Sequence, residues 1–412
     1  MSERTIVNVF KYLWNVFRPL AEALARHKRP IINVGKYLLA IVLLAWVISR
    51  NWAPENGKGL AYVWQTHVVE GQPIRVDYLL AAALIYLSAA LLTFIRWYVL
   101  VRAVELPFRV LDAIRLGLIG LFFNAFLPGS VGGDIIKAAF LAREQDRRTV
   151  AVATVIMDRL IALWALIWFV ALVGSVFWLT GQLEGPVAPR SKSVVAGAAV
   201  IVAVSVAAWL LLGLLPPRRA ERFAERLERL PRIGGSAAEF WRAVWMYRCK
   251  QAAIAGVLVL SWVGHVGFVF AFWCSANVLW SPQLGPIPSL AEHFVFVPIG
   301  LVVQALVPTP GGAGGGEWGF SKLYEVFGGS EVNGALGSLV QRVLNWAFGL
   351  LGYLVYLRMH AGRLAAPTSG TPVPSEQCLP AEQCAVEPVS LQSALSNGQT
   401  GAHTSSERFT PR

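Results

Sequence analysis

The chain has 412 residues, 56% of them hydrophobic and 15% charged, with a mean hydropathy of +0.54. A soluble domain of this length needs a polar surface that this composition does not supply, so a water-soluble globular fold is excluded. The net charge of +12 gathers in clusters beside apolar blocks, which orients membrane spans and attracts anionic headgroups; no reader motif for nucleic acid accompanies it.

Residues 3–27 set Ile6, Val9, Phe10, Leu13, Trp14, Phe17 and Leu24 on one helical face, with a bend at Pro19. Residues 1–33 therefore read as a cytoplasmic or interfacial amphipathic segment, lying on the leaflet or docking a partner. No cleavable signal peptide is expected, because the basic stretch reaching Lys36 is too long for one. A first span covers Val34 to Ser49 and a second Tyr78 to Val101; crossing a bilayer takes roughly 20 helical residues. The apolar stretch Leu111–Leu141 is interrupted at Leu127-Pro128-Gly129-Ser130-Val131-Gly132-Gly133-Asp134. A third span follows from Thr149 to Leu179 and a fourth from Ser193 to Leu215, then an arginine-rich segment over 216–250. A fifth span covers Ala252 to Trp280. The stretch Leu290–Phe327 is broken by Pro308-Thr309-Pro310 and the glycine-rich run to Glu317, and Val332 to Leu357 is the sixth span. Residues 360–412 are rich in Pro, Ser, Gln and Thr without apolar periodicity and read as a disordered cytoplasmic tail.

Proline removes a backbone donor and glycine favours open turns, so both interrupted stretches must break. Freed backbone groups in a bilayer need protein or a wet cavity around them, and a re-entrant hairpin supplies this. Lysine and arginine placement puts the N-terminus inside, opens the first hairpin to the cytoplasm and the second to the opposite face, and returns the C-terminus inside. The expected fold is an all-α polytopic membrane protein with six transmembrane helices and two opposed re-entrant hairpins. Its location is the cell (inner or plasma) membrane, with both termini cytoplasmic.

Residues 34–180 and 193–358 repeat one pattern: span, span, broken hairpin with an acid, then a span carrying an arginine. Asp134 precedes Arg159 by the same interval that separates Glu317 from Arg342. The first half starts inside and the second outside, so the repeats are inverted, an arrangement found in secondary transporters with broken helices near the midplane.

The run Asn124 to Lys137, the Asp158-Arg159 pair, the Pro308 to Glu317 run and Arg342 resemble a flippase-like family named for the transmembrane region of lysylphosphatidylglycerol synthase. The likeness covers roughly residues 35–358, and Leu-Pro-Gly-x-Val-Gly-Gly-Asp is its most specific part. In the synthase this region is associated with moving aminoacylated lipid between leaflets, and a separate soluble domain makes that lipid. The short polar tail here leaves the expectation of the flippase-like part alone. Lys137 stands where many members carry arginine, which keeps the charge but not a bidentate grip on phosphate.

Intramembrane charges cost about 2.5 to 3.5 kcal/mol each on insertion, so they are paired or functional. Arg159 and Arg342 sit about ten residues into their spans, near mid-bilayer. In one reading they hold an anionic headgroup with Lys137 and Asn124, on a frame made by Pro128, Gly132, Gly133, Pro310 and Gly315, and Asp134 and Glu317 neutralise them when the site is empty. Protonation of either acid would then couple transport to a proton gradient. In the other reading the two acid–arginine pairs only clamp each hairpin to the next span. Gln304 and Asn345 could line the same cavity or bond across helices. His265 fits a packed, hydrogen-bonded side chain better than a proton relay.

No catalytic residue is expected: there is no duplicated aspartate motif and no histidine–cysteine site, and the glycine run lacks the Gly-Lys-Ser or Gly-Lys-Thr of a nucleotide loop. Cys249, Cys274, Cys378 and Cys384 match no zinc spacing, and no metal or cofactor is implied. The function expected is translocation of an anionic phospholipid or polyprenyl-phosphate lipid by alternating access. The alternatives are an accessory membrane subunit of a lipid or glycan assembly pathway and a membrane lipid transferase. The partners expected are membrane lipids, and a membrane protein partner or a second copy of the chain fits the exposed segments.

Overall fold

A computed structural model describes residues 34–53, 58–127, 132–145, 147–182, 188–213, 216–230 and 234–365; the segment 1–33, residue Pro128 and residues 366–412 lie outside it. Among the described residues the chain is helical, without strands. Helix α1 (Val34–Trp52) is followed by a short α2 (Leu60–Trp64) that continues as a π-helical turn. Then come α3 (Val76–Ala103), α4 (Val110–Phe126), α5 (Gly132–Glu144), α6 (Arg148–Leu179) and α7 (Ala188–Gly213). The second half holds α8 (Pro217–Glu228), α9 (Gly234–Cys249), α10 (Gln251–Asn277), α11 (Leu290–Leu306), α12 (Gly315–Val326) and α13 (Glu331–Ala365). The basic segment is thus a pair of helices, and α13 runs into the first residues assigned to the tail.

Among the described residues five helices are long and apolar enough to cross a membrane: α1, α3, α6, α10 and, within α7, Pro189–Leu211. The sixth expected span is the helix α13, which is not among them because its polar residues lower its average. Those residues face inward: Asn333, Ser338, Gln341 and Arg342 are buried, whereas Val343, Leu350, Leu351 and Leu354 are exposed. Hydropathy averages over all faces of a helix and does not register such a division.

Both interrupted stretches fold back on themselves. In the first, Gly133 approaches the carbonyl of Gly120, Gly132 approaches Phe123 and Leu127, and the Gly133 N–H donates to Asn124 Oδ1 at 2.7 Å. In the second, Val307 meets Gly315, Val303 meets Gly319 and Gly300 meets Phe320, so the pairs step outward from the turn as in a hairpin. Its first arm starts with a capping box, in which the Ser289 N–H donates to Glu292 Oε2 at 2.7 Å and the Glu292 N–H to Ser289 Oγ at 3.3 Å. Two prolines then withhold donors, and Gly311, Gly312 and Gly314 turn the chain at φ of 57°, 69° and 81°.

An ideal Cβ at Gly133 would lie 2.1 Å from the Gly120 carbonyl oxygen. Gly133→Ala is therefore expected to push the arms apart at a cost of about 1–3 kcal/mol. Thermal unfolding of the purified protein in detergent reads this; an unchanged melting temperature would show that the arms are not tightly packed.

Two apolar cores follow the two hairpins. One joins Trp97, Leu100, Leu116, Ile119, Leu141 and Ile161 from α3, α4, α5 and α6. The other joins Phe169, Val269, Phe272, Phe296, Phe320 and Tyr324 from α6, α10, α11 and α12, with Phe272 and Phe320 stacked at 4.1 Å. α3 and α10 occupy the same place in their halves, and they lie along one another in opposite directions. Tyr78 meets Trp273, Tyr86 meets Phe268, Ala89 meets Gly267, and Tyr247, just before α10, donates to the Leu100 carbonyl at 3.0 Å. The two hairpins also meet: Ala125, near the end of α4, lies beside Gly311 in the second turn. α13 seals this junction along α4, with Gly352 against the Leu118 carbonyl and Gly349 against Phe122.

Candidate functional site

Asp134 lies in the first turn of α5 and is 5% exposed. Arg159 of α6 donates from Nε to Asp134 Oδ2 at 2.5 Å, and Lys137 Nζ lies 3.8 Å from Asp134 Oδ1. Lys137 is held over the rings of Trp97 and Phe94 at 5.4 and 5.8 Å, which favours a cation there. Asp134 therefore neutralises only one of the two cations it touches. The Arg159 side chain is 49% exposed, and Asp134 is its only acceptor among the described residues. Around it on the same surface stand the exposed apolar side chains of Ile135, Ile156, Leu160 and Leu163.

The second pair has the same partners and a different setting. Arg342 Nε donates to Glu317 Oε1, and the two side chains are 3% and 0% exposed. Glu317 Oε2 also accepts the Gly314 N–H at 2.7 Å, capping α12. Arg342 Nη1 donates to the Gly311 carbonyl at 3.1 Å, and Gln304 Nε2 donates to the same oxygen at 3.1 Å. Gly311 and Gly316 line the guanidinium of Arg342, each with a built Cβ position 3.4 Å from one of its terminal nitrogens. Arg342 Nη2 is buried without an acceptor among the described residues.

The structure thus brings Asp134, Lys137 and Arg159 together in one cluster and Glu317 and Arg342 in another. Asn124 closes the first turn by accepting from Gly133. Gly132, Gly133 and Gly315 serve the close approach of hairpin arms, since a Cβ on any of them would strike the opposing arm or the chain at the turn. Pro310 is buried at the start of the second turn. Asn345 bonds across helices, accepting from Tyr86 Oη at 3.0 Å. His265 packs 5.7 Å from Phe169 and lies against the Ala162 backbone of α6.

Sequence reasoning missed a third ion pair. Arg96, in the C-terminal half of α3, donates from Nε to Asp158 Oδ1 at 2.8 Å and from Nη2 to Asp158 Oδ2 at 3.0 Å, while Nη1 reaches Ser261 Oγ at 3.4 Å. The signal was present, because an arginine inside the apolar run Leu91–Leu100 requires a buried acid. In the second half Gln341 precedes Arg342 as Asp158 precedes Arg159, and α10 carries no arginine, so this pair has no equivalent there. Also unforeseen, His293 Nε2 lies 2.7 Å from Tyr324 Oη and ties the two arms of the second hairpin.

Replacing both Arg96 and Asp158 by leucine is expected to change stability by no more than about 1–2 kcal/mol, since a buried pair exchanged as a unit leaves no unpaired charge. Either single replacement should be worse than the double. Thermal unfolding of the three variants decides it, and a double variant as unstable as the singles would contradict this.

In total the first-half cluster holds three cations, Arg96, Lys137 and Arg159, against two carboxylates, Asp134 and Asp158. The second-half pair is neutral. An excess positive charge beside an apolar surface is chemistry for holding an anion.

The family model described as the lysylphosphatidylglycerol synthase TM region matches residues 33–352. No curated protein and no solved structure matches the chain.

Proposed function

The chain belongs to the family of the lysylphosphatidylglycerol synthase transmembrane region, as a multi-pass, lipid-related membrane protein, and from that membership we propose that it moves an anionic lipid between leaflets. The observation that carries this reading is the half-exposed side chain of Arg159, tethered at Nε by Asp134 and set beside exposed apolar side chains of α5 and α6. A phospholipid or polyprenyl phosphate has matching parts: a phosphate for the terminal nitrogens and chains for the apolar surface. Lys137 beside Asp134 adds the positive charge that a phosphate balances.

On this reading the two hairpins are re-entrant from opposite faces and meet where Ala125 touches Gly311. The opposite directions of α3 and α10 support an inverted repeat, and alternating access then exposes the cluster to each leaflet in turn. Glu317 and Arg342 act as the clamp of the second hairpin, because they are too enclosed to receive a headgroup. The termini are cytoplasmic, the membrane is the cell membrane, and the protein works without catalysing a bond change. The test is reconstitution into liposomes with labelled phosphatidylglycerol, phosphatidic acid or polyprenyl phosphate. At least one of these should cross faster than in protein-free vesicles; rates equal to the protein-free control for all of them would end the proposal.

A further inference from the structure

The helices that join α7 to α10 carry a second cationic site, independent of the Arg159 cluster. Along α8 the residues Arg219, Arg222, Phe223 and Arg226 fall on one face at helical spacing. Together with Trp241 of α9 they line a cleft of about 460 Å³. Its walls are fixed to one another. Ala220 and Ala224 are buried, Trp241 Nε1 donates to the Ala220 carbonyl at 2.9 Å, and the Phe223 and Trp241 rings meet edge to face at 4.7 Å.

The charge on this face is left uncompensated by the way the acids are used. Arg242 of α9 takes Glu221 at 2.7 Å and Glu228 at 2.8 Å, which commits two of the three carboxylates of α8 to a cation on the neighbouring helix. Among the described residues none of Arg219, Arg222 and Arg226 forms an ion pair. Like charges one turn apart on a helix repel, and a bound anion reverses that cost. Arginine forks pair with phosphate oxygens two at a time. Three of them suit a terminal phosphomonoester, which carries about −1.5 to −2 at neutral pH, or a pyrophosphate, better than the single charge of a phosphodiester. The cleft is sized for a headgroup, and its aromatic wall can cover the less polar part of one.

We propose that the α8–α9 cleft binds a multiply charged phosphate group, a terminal phosphomonoester or a pyrophosphate. Such a group can come from a lipid headgroup or from a free molecule in solution, and the two sources are separable. The full chain in phosphatidylcholine nanodiscs is titrated calorimetrically with inorganic pyrophosphate and, separately, with dihexanoyl phosphatidic acid, with dihexanoyl phosphatidylcholine as the control. Saturable binding of at least one of the first two is expected. It should weaken at least tenfold in Arg219→Gln/Arg222→Gln/Arg226→Gln, and less than threefold in Arg218→Gln/Arg229→Gln, which removes charge from the same helix outside the cleft. Binding of both ligands supports recognition of the phosphate alone, of phosphatidic acid only a membrane source, and of pyrophosphate only a soluble one. No saturable binding, or equal losses in the two variants, overturns the proposal. The single Arg222→Gln, expected to weaken binding at least threefold, serves if the triple variant fails to fold.

Discussion

Arg342→Ala is expected to destabilise the protein by about 3–5 kcal/mol, because it leaves the enclosed Glu317 carboxyl group without its partner. The arginine also holds the second turn through the Gly311 carbonyl, so the junction of the two hairpins loosens with it. The loss should appear as a lowered melting temperature in detergent and as poorer recovery of folded protein. Adding Glu317→Gln should restore much of it. A glutamine is neutral, and its side-chain oxygen can still accept from the Gly314 N–H that Glu317 accepts at 2.7 Å. A double variant no more stable than Arg342→Ala would mean that the unpaired charge is not the cause, and a fully stable Arg342→Ala would refute the clamp.

Arg159→Gln is expected to act in the opposite way, with lipid movement in proteoliposomes falling at least tenfold and little change in unfolding. The side chain is half exposed, and Lys137 remains 3.8 Å from Asp134 when the guanidinium is gone, so the carboxylate is not left without a cation. Arg159→Lys should retain part of the activity: it keeps the charge and loses the planar fork. The contrast between the two arginines is the informative measurement. Equal transport by unaltered protein and Arg159→Gln would remove Arg159 from the headgroup site, and a stability loss as large as that of Arg342→Ala would make it a second clamp.

Much of the architecture is legible in the amino-acid sequence, and the reasons are local. A proline or a run of glycines breaks a helix whatever lies around it, so the helix ends at Phe126 and Leu306 stand where the chain chemistry requires. The pairing of Asp134 with Arg159 and of Glu317 with Arg342 was also legible, since each acid and arginine lie on consecutive helices and a bilayer leaves charges little alternative to pairing. The basic segment was recognised by its charge but not as two helices that use up their acids on each other. That depends on Arg242 reaching across from α9 to Glu221 and Glu228.

By itself, then, the amino-acid order determined that this is a multi-pass membrane protein with two interrupted apolar stretches and acids matched to arginines, because those properties follow from backbone donors, apolar length and unshielded charge. Only the tertiary structure decided which pair is open. The pattern around Arg159 and Arg342 is nearly the same, yet one side chain is half exposed and the other is enclosed, held by Glu317 of α12 and the Gly311 carbonyl of the second turn. Enclosure is set by elements far away in the chain that pack against a site. The same holds for Arg96 and Asp158, whose bond joins α3 to α6 in the first half and has no equivalent in the second.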